Sequence, residues 1–460
     1  MRSIACSRLL ALAALAVLAS GCASVTSDRG FDAVAQMTKA RSGKDAVLVR
    51  NEADARAMAE SVNAILRQPL SADDAVQVAL LNHRGLQATY WEVGIAQADL
   101  VQAGRLQNPS FGFKRTRQGG ELEIERSLTA NIVNLLTAPL ARRIEARRFE
   151  QAKLQVANAI EQHAAETRRA YYEAVAALQG LAYAHQVEQA AEAGAELAGR
   201  MAQAGNWSQL DLAREQAFHA EASAAVGRAA RQVSAAREKL TRLMGLWGAN
   251  SSYRLPERLP ELQDAALALE DIERTAVRER LDIQAARLDT AHTAASLGLS
   301  KTTRFINVLE LGYTETSASG AAKARGYELT LEIPLFDWGA ARMARSEAIY
   351  MQSVNNLAQA AANARSEARE SYLDYRGSYD LARHYRDQVI PLRKKISDET
   401  LLRYNGMLVS VFELLADSRE QAAAVNDYIA ALKDYWIAHT NLTAALGGRL
   451  PGEPRKEAQQ

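Results

Sequence analysis

The 460-residue sequence is poor in cysteine, in net charge and in long apolar runs. Its two cysteines, Cys6 and Cys22, cannot supply the several disulfides that hold small secreted domains together. Lysine and arginine number 55 against 54 aspartate and glutamate, and this balance argues against a nucleic-acid partner. After residue 22 no apolar run reaches the length of a membrane-spanning helix, so any crossing of a membrane would have to use strands.

The common motifs of catalysis and metal binding are also missing. The seven histidines are scattered, and none has a second histidine or a cysteine three or four residues away. The sequence has no nucleophile elbow, no Walker loop and no CxxC pair. We therefore expect no enzyme, no catalytic residue, no cofactor and no metal site.

The N-terminus has the layout of a secretory signal. Arg2 and Arg8 precede the apolar run at residues 9–18, and small residues follow it. The segment 18–22, LASGC, resembles the lipobox of bacterial lipoproteins, in which the cysteine is acylated and becomes the new N-terminus. We predict a palmitate-bearing lipoprotein anchored through Cys22 and, because residue 23 is not Asp, sorted to the outer membrane. A plain signal peptide with an incidental Cys22 is the alternative.

Four segments alternate apolar and polar residues as strands do. The first pair is 110–117 and 121–132, joined by a turn at 118–120; the second pair is 305–314 and 327–336. Each is close to the ~9 to 11 residues of a tilted membrane strand. A soluble sheet with one solvated face would give the same alternation. If the apolar side faces lipid, the acidic residues of the polar side line a water-filled bore: Glu121, Glu123, Glu125, Glu328 and Glu332.

Long stretches of helical composition follow each strand pair. Residues 138–204 and 339–405 are rich in Ala, Glu, Gln, Arg and Leu at helical spacing and would be roughly 95 to 100 Å long. They end at Gly205 and Gly406, which predict hairpin tips, and Pro391 predicts an interruption of the second. Four shorter helices are predicted to flank them, at 71–106, 209–247, 267–301 and 411–446.

The two halves are copies of one another. Residues 333–336 with Arg342 match 133–136 with Arg142 at an offset of about 200 residues, which indicates an internal duplication. The predicted organisation follows from this repeat: a signal peptide at 1–21, an N-terminal anchor segment at 22–66, a first helix-strand-strand-helix repeat at 67–247, an equatorial linker at 248–266, a second repeat at 267–447 and a disordered tail at 448–460.

Four strands cannot close a barrel, and an open sheet edge cannot stand in lipid, so the chain is predicted to oligomerise. A dimer would bring roughly eight strands, whose interior side chains just fill, whereas a trimer would bring roughly twelve and leave a bore.

Three motifs resemble those of the TolC family of outer-membrane efflux factors, over nearly the whole mature length. They are IPLFDWG at 333–339, the tip YNGMLVSVFELL at 404–415 and the repeat-opening helix LSADDAVQVALLN at 70–82. The first repeat departs from the pattern, with Asn134 where the family has proline and Pro139 where it has glycine.

The resemblance implies a mainly α fold with a small membrane β-barrel. It implies a homotrimer in which a coiled-coil α-helical tunnel is continued by a shared twelve-stranded barrel, four strands per chain, in outer-membrane lipid. Its implied partners are a periplasmic adaptor (membrane fusion) protein and an inner-membrane transporter. The implied function is the channel of a tripartite efflux system. The alternatives are a lipid-anchored periplasmic coiled-coil scaffold and the outer duct of a type I protein secretion system.

Two sets of residues are singled out at the tips. The resemblance implies an adaptor-contacting set, for which a hairpin turn without a partner is the alternative: Gly205, Asn206, Trp207, Ser208, Gly406, Met407, Leu408, Val409 and Ser410. Carboxylates just past the tips would form acidic rings in a trimer and are candidates for a cation-attracting gate, although each could equally lie on a solvated outer face: Asp211, Glu215, Glu413 and Asp417.

Overall fold

The computed structural model describes residues 25–303 and 308–450, which form helices and one four-stranded antiparallel sheet. Cys22, the signal segment and residues 451–460 of the predicted tail lie outside the described residues. In chain order the elements of the first half are α1 (Asp32–Ser42), α2 (Glu52–Leu66), α3 (Ala72–Asn82), α4 (Arg84–Ala103), β1 (Ser110–Gln118), β2 (Glu121–Asn131), α5 (Ile132–Gln203) and α6 (Gln209–Leu243). Those of the second half are α7 (Ile272–Glu279), α8 (Leu281–Thr302), β3 (Leu309–Ala318), β4 (Ala324–Leu331), α9 (Ala340–His384), α10 (Ile390–Asn405) and α11 (Val411–Ala445).

The order of elements repeats, as the duplication predicts. Each copy runs through a short helix, a longer helix, two strands, a long helix and a return helix of 35 residues. The chain also divides into two compact units that cut across the copies. Of the described residues, those within 1–34, 90–156 and 281–361 form unit 1, and those within 35–89, 157–280 and 362–460 form unit 2.

The helix before each strand pair was predicted to be continuous, at 71–106 and 267–301, and this was wrong. The helix breaks at His83 in the first copy and at Arg280 in the second, where each residue has an extended backbone. Each break lies against a left-handed glycine that follows a return helix. A Cβ on Gly245 would come within 2.8 Å of the His83 Cα, and one on Gly447 within 3.0 Å of the Glu279 carbonyl. A side chain at either glycine would force these segments apart.

The second long helix is interrupted where proline predicts it. A π-helical turn, Tyr385–Val389, separates α9 from α10, and Pro391 follows at the start of α10. Because Pro391 has no amide hydrogen, it cannot make the usual bond to the carbonyl four residues earlier, and the wider turn accommodates its ring. The first long helix, α5, has Pro139 near its start and continues for 72 residues.

Helices α1 and α2 were not predicted within the 22–66 segment. Asn51 caps α2, with its side chain accepting a hydrogen bond from the Asp54 amide, and the helix buries Met58 and Val62 in the core of unit 2. That core is rich in aromatic residues from the long and return helices. Its largest fully buried side chains include Leu240, Met244, Tyr253, Tyr375, Tyr379, Tyr435 and Leu442.

One carboxyl group of unit 2 is held away from water. The Oε1 atom of Glu161, on α5, is buried and has no hydrogen-bond partner among the described residues. Burial raises the pKa of Glu161 from its ordinary value of 4.5 to about 7, although Arg41 and Arg168 act in the opposite direction. The folded state therefore retains a proton at pH values where the unfolded chain has lost it.

We expect Glu161→Gln to stabilise unit 2 at pH 8 by about 1–2 kcal/mol and to have little effect at pH 5. The contribution of Glu161 is fully present below pH 4.5 and is lost as the pH rises through about 7, whereas glutamine stays neutral throughout. Hydrogen exchange of the α5 amides relative to the wild type, at both pH values, measures the change. Glu166→Gln, an exposed residue on the same helix, is the control; an equal response from both variants would contradict the assignment.

Candidate functional site

The sheet in unit 1 has two faces of opposite character. The register pairs Leu128 with Tyr313, and Tyr313 with Tyr327, so alternate residues of all four strands share a face. One face carries large apolar side chains that are exposed in the chain: Phe111, Phe113, Leu128, Leu311, Tyr313, Tyr327, Leu329 and Leu331. Exposed apolar side chains on adjacent strands suit contact with another apolar phase rather than with water.

The opposite face is polar and acidic. The register places on it four of the predicted bore residues, Glu121, Glu123, Glu125 and Glu328. Glu332 lies one residue past β4, and its amide donates to the Val308 carbonyl at 3.2 Å, which preserves the alternation. Sequence reasoning missed Glu310, which pairs with Thr330 on the same face; the alternation of β3 would have placed it there. Lys114 balances one of these charges, at 3.9 Å from Glu125.

Arg126 interrupts the apolar pattern of β2 and has a partner. Its guanidinium lies 3.5 Å from Glu315 on the neighbouring strand. Glu315 also lies 3.7 Å from Lys323 and 3.2 Å from Arg325. The charges on the apolar face are thus grouped at its β-hairpin end.

The two strand-to-helix junctions differ, and the second was predicted incorrectly. β2 runs directly into α5, and the Asn131 side chain accepts a hydrogen bond from the Asn134 amide at 2.9 Å. β4 ends at Leu331 rather than at 336, since Pro334 lacks the amide needed to continue pairing. The segment 332–339 ends at Gly339, which is left-handed at φ 71°. The segment exposes Ile333, Leu335, Phe336 and Trp338. Part of the predicted third strand, 305–307, lies outside the described residues, and β3 begins at Leu309.

The tip between α5 and α6 is a tight reversal at Gly205. The Asn206 amide donates to the Met201 carbonyl at 2.9 Å, and the Gly205 amide donates to the Ala202 carbonyl at 3.1 Å. Gly205 has φ 75°. This is the Schellman arrangement that commonly ends helices, with glycine at the left-handed position.

The tip between α10 and α11 repeats these bonds with a different residue at the left-handed position. The Leu408 amide donates to Arg403 at 2.8 Å and the Met407 amide to Tyr404 at 2.9 Å. Met407 has φ 57°, whereas Gly406 has φ −80°. Gly406 lies at the tip, as predicted, but the conformation for which glycine was invoked belongs to Met407. A non-glycine residue in this region carries strain, which is often found at functional positions.

We expect Met407→Gly to stabilise the second tip by about 0.5–1 kcal/mol, because it removes the strain of a left-handed side chain. Leu408→Gly is the control, since it also removes an exposed apolar side chain but leaves the left-handed Met407 in place. Hydrogen exchange of the tip amides compares them. An equal gain in both variants would show that Met407 is not strained.

The tip residues differ in what they present to solvent. Met407 is 94% exposed and Leu408 78% exposed. Trp207 is only 9% exposed, because its ring stacks on Phe412 with centroids 4.3 Å apart. Trp207 thus joins the two tips to one another. Ser208 and Ser410 cap α6 and α11 with their side chains, whereas Gly205, Asn206, Gly406 and Val409 lie in the turns between helices.

The four predicted gate carboxylates form two kinds of group. Asp211 and Glu413 lie in the first turns of α6 and α11, where their amides donate to the capping serines; Asp211 also lies 3.3 Å from Arg214. Such residues stabilise helix starts. Glu215 and Asp417, by contrast, are buried, at 4% and 7% exposed.

Arg419 pairs with one of the two buried carboxylates, Glu215. Arg419 lies 2.6 Å from Glu215 and stacks over the Phe218 ring at 4.4 Å. Both carboxylate oxygens of Asp417 are buried without a hydrogen-bond partner among the described residues. Arg419 is therefore the cation that compensates Glu215, in a place where uncompensated charge is costly.

The described residues contain no group of three or more His, Cys, Asp and Glu placed to hold a metal ion. Within the same ranges, no helix combines the length and apolarity of a membrane-spanning helix.

Comparison with known proteins identifies the fold. No protein-family model matches the sequence, and no curated protein matches it significantly. The outer-membrane channel OprN is 19% identical, with 82% of this chain and 90% of OprN covered and a TM-score of 0.69. CusC, whose structures concern transmembrane channel formation, is 17% identical, with 82% and 92% covered and a TM-score of 0.68. The open state of the MtrE outer-membrane channel of Neisseria gonorrhoeae is 16% identical, with 81% and 88% covered and a TM-score of 0.67.

The chain has the fold of these outer-membrane channels. The predicted fold class is confirmed, and the resemblance to TolC-family efflux factors holds at the level of the fold.

Proposed function

We propose that this chain is one protomer of a homotrimeric outer-membrane channel in a tripartite efflux system. The observation that carries the proposal is the two-faced sheet, apolar on one side and acidic on the other, in a chain with the fold of outer-membrane channels. The proposed role is a sealed path for substrates supplied by an inner-membrane transporter through a periplasmic adaptor. The chain itself carries out no chemistry.

The sheet edges support oligomerisation. The strand order is β1-β2-β3-β4, so β1 and β4 each have one edge unpaired by another described strand. An unpaired edge is costly in lipid, where backbone groups have no water to bind. Pairing β1 of one copy with β4 of the next closes a barrel of roughly twelve strands when three copies combine. Native mass spectrometry of the detergent-solubilised protein tests this: three copies are expected, and a stable monomer would contradict it.

The acidic face supports a cation-attracting bore. Glu310 and Glu328 join the carboxylates of β2 on the face opposite the apolar side chains. Charged residues are tolerated in membrane strands only where they meet water or a partner. This arrangement favours cationic over anionic cargo.

The exposed apolar side chains of Met407 and Leu408 support the tips as the adaptor-contacting surface. Two large apolar residues on a strained reversal offer a compact apolar anchor for a partner. Because Trp207 is turned against Phe412, we assign it the role of holding the two tips together rather than of direct contact. Glu215, Asp417 and Arg419 are the proposed gate, with Asp211 and Glu413 at the rim.

The lipid anchor rests on the LASGC segment ending at Cys22. We expect metabolic labelling with radioactive palmitate to mark the wild type and not Cys22→Ser, while both remain in the outer-membrane fraction because the strands also hold them there. Cys6→Ser, within the removed segment, is the control and keeps the label. Equal labelling of wild type and Cys22→Ser would show that the anchor is elsewhere.

A further inference from the structure

The β-hairpin end of the sheet carries a cluster of cations on the apolar face. Arg115 and Arg117 of β1 share this face with Phe111 and Phe113, because alternate residues of a strand point to the same side. Arg126 and Arg325 lie level with Phe113 across the ladder. We call the cluster the basic band: Arg115, Arg117, Arg126, Lys323 and Arg325.

The basic band has far more positive than negative charge. Glu315, whose side chain is 19% exposed, is the carboxylate that Arg126, Lys323 and Arg325 share. One carboxylate cannot satisfy three cations, and their side chains remain 46%, 58% and 67% exposed.

Arg115 and Arg117 add charge without any compensation. Both are exposed, and neither forms an ion pair with a carboxylate in the described part of the chain. Their guanidinium groups are therefore available to an anion from outside the chain. Guanidinium groups bind phosphate oxygens in pairs, which a compact ammonium group does not.

The neighbouring residues indicate what kind of anion fits. Immediately towards the helices, Phe111, Leu128, Tyr313 and Tyr327 form one row across the four strands. Leu311 and Leu329 form the next row. Moving from the hairpin turns, the face thus presents cations first and then uninterrupted apolar side chains. An amphiphile with anionic groups at one end and hydrocarbon at the other matches this order.

We propose that the basic band binds the phosphate groups of a phosphorylated outer-leaflet lipid whose acyl chains lie along the apolar rows. The inference rests on the proposed function, which puts the apolar face in lipid and the hairpin turns on the external side. Basic residues beside a membrane surface each add roughly 1 kcal/mol of attraction to anionic lipid, about fivefold in affinity. A free phosphate ion would use the cations but not the apolar rows.

The test titrates the purified oligomer in detergent with diphosphoryl lipid A and measures bound lipid by native mass spectrometry. We expect Arg115→Gln to weaken binding about fivefold and Arg115→Gln with Arg117→Gln about 25-fold. Lys114→Gln removes a cation from the same strand but the opposite face, and it should leave binding within about twofold. Equal losses from Arg115→Gln and Lys114→Gln would overturn the proposal.

Two further arms separate the lipid from its alternatives. Glu315→Gln removes the carboxylate that the band shares and should tighten binding about fivefold, a gain that misfolding cannot produce; unchanged or weaker binding would contradict the charge argument. Inorganic phosphate at the lipid's concentration should not displace the lipid, and full displacement would show a phosphate site instead. Because binding in detergent needs neither insertion nor conductance, a failure to bind lipid here would leave the channel proposal standing.

Discussion

Arg419→Met should lower the free energy of local opening at the two tips by about 3–5 kcal/mol, since it leaves the buried Glu215 carboxylate without its cation. The Arg419 guanidinium lies 2.6 Å from Glu215, and Asp417 is buried close by in sequence without a partner of its own in the described chain. Removing the arginine also removes its stacking on Phe218. The measurement is hydrogen exchange of amides near the starts of α6 and α11, which reports local opening free energy.

The control for Arg419→Met is Arg403→Met. Arg403 pairs with Glu399 on α10, but both side chains are more than half exposed, so the expected loss is below about 0.5 kcal/mol. Adding Glu215→Gln to Arg419→Met should restore part of the loss, because the buried charge is then gone. If Arg419→Met left the exchange rates as slow as those of Arg403→Met, the ion pair would not hold the tips.

The second large effect is expected from a charge placed on the apolar face of the sheet. Leu329→Arg should reduce folding into lipid vesicles, with a cost of about 2–4 kcal/mol, because it puts a charge among apolar side chains assigned to lipid. Leu329 pairs with Leu311 and is 67% exposed in the chain. The measurement is the fraction that gains protease resistance and oligomeric mobility when refolded into vesicles over a urea series.

Thr330→Arg is the matched control for Leu329→Arg. It adds the same side chain one residue away, on the polar face, where its Cα partner is Glu310. We expect it to fold into vesicles nearly as well as the wild type. Equal losses from the two variants would mean that lipid does not distinguish the two faces, as expected of a soluble sheet.

The elements with strong local patterns could be predicted from the sequence. The strand pairs followed from alternation, the first hairpin from its adjacent glycines, and the long helices from composition with glycine-marked ends. The acidic face followed from alternation too, because a period of two fixes which residues share a side. Even Arg126, which looked like an exception, is on the face that alternation gives it and is paired with Glu315.

Other features depended on tertiary contacts that local pattern does not contain. The break at His83 lies against Gly245. The break at Arg280 lies against Gly447, which contacts Glu279. Both glycines are distant in sequence from the breaks that they contact. The inward turn of Trp207 depends on Phe412, about 200 residues away. Likewise the charge of Glu215 is met by Arg419 of the other return helix. Helical periodicity reports burial but not which helix covers the buried side.

The left-handed position at the second tip shows a different limit. Glycine is the usual residue there, so the sequence favoured Gly406. In the structure the left-handed residue is Met407, one position later than Gly406. The hydrogen bonds of Met407 and Leu408 repeat those of Gly205 and Asn206 at the first tip. Aligning the repeats by their capping residues, Ser208 with Ser410, would have identified Met407.

Single-channel conductance of the purified oligomer in planar bilayers tests the central claim most directly. We predict small, cation-selective steps that change when Asp211, Glu413 or Asp417 is neutralised, with at least one of the three altering conductance or selectivity. If no folded oligomer ever conducted, including a variant with all three carboxylates removed together, the channel account would be contradicted. A lipid-anchored coiled-coil scaffold would then describe the chain better.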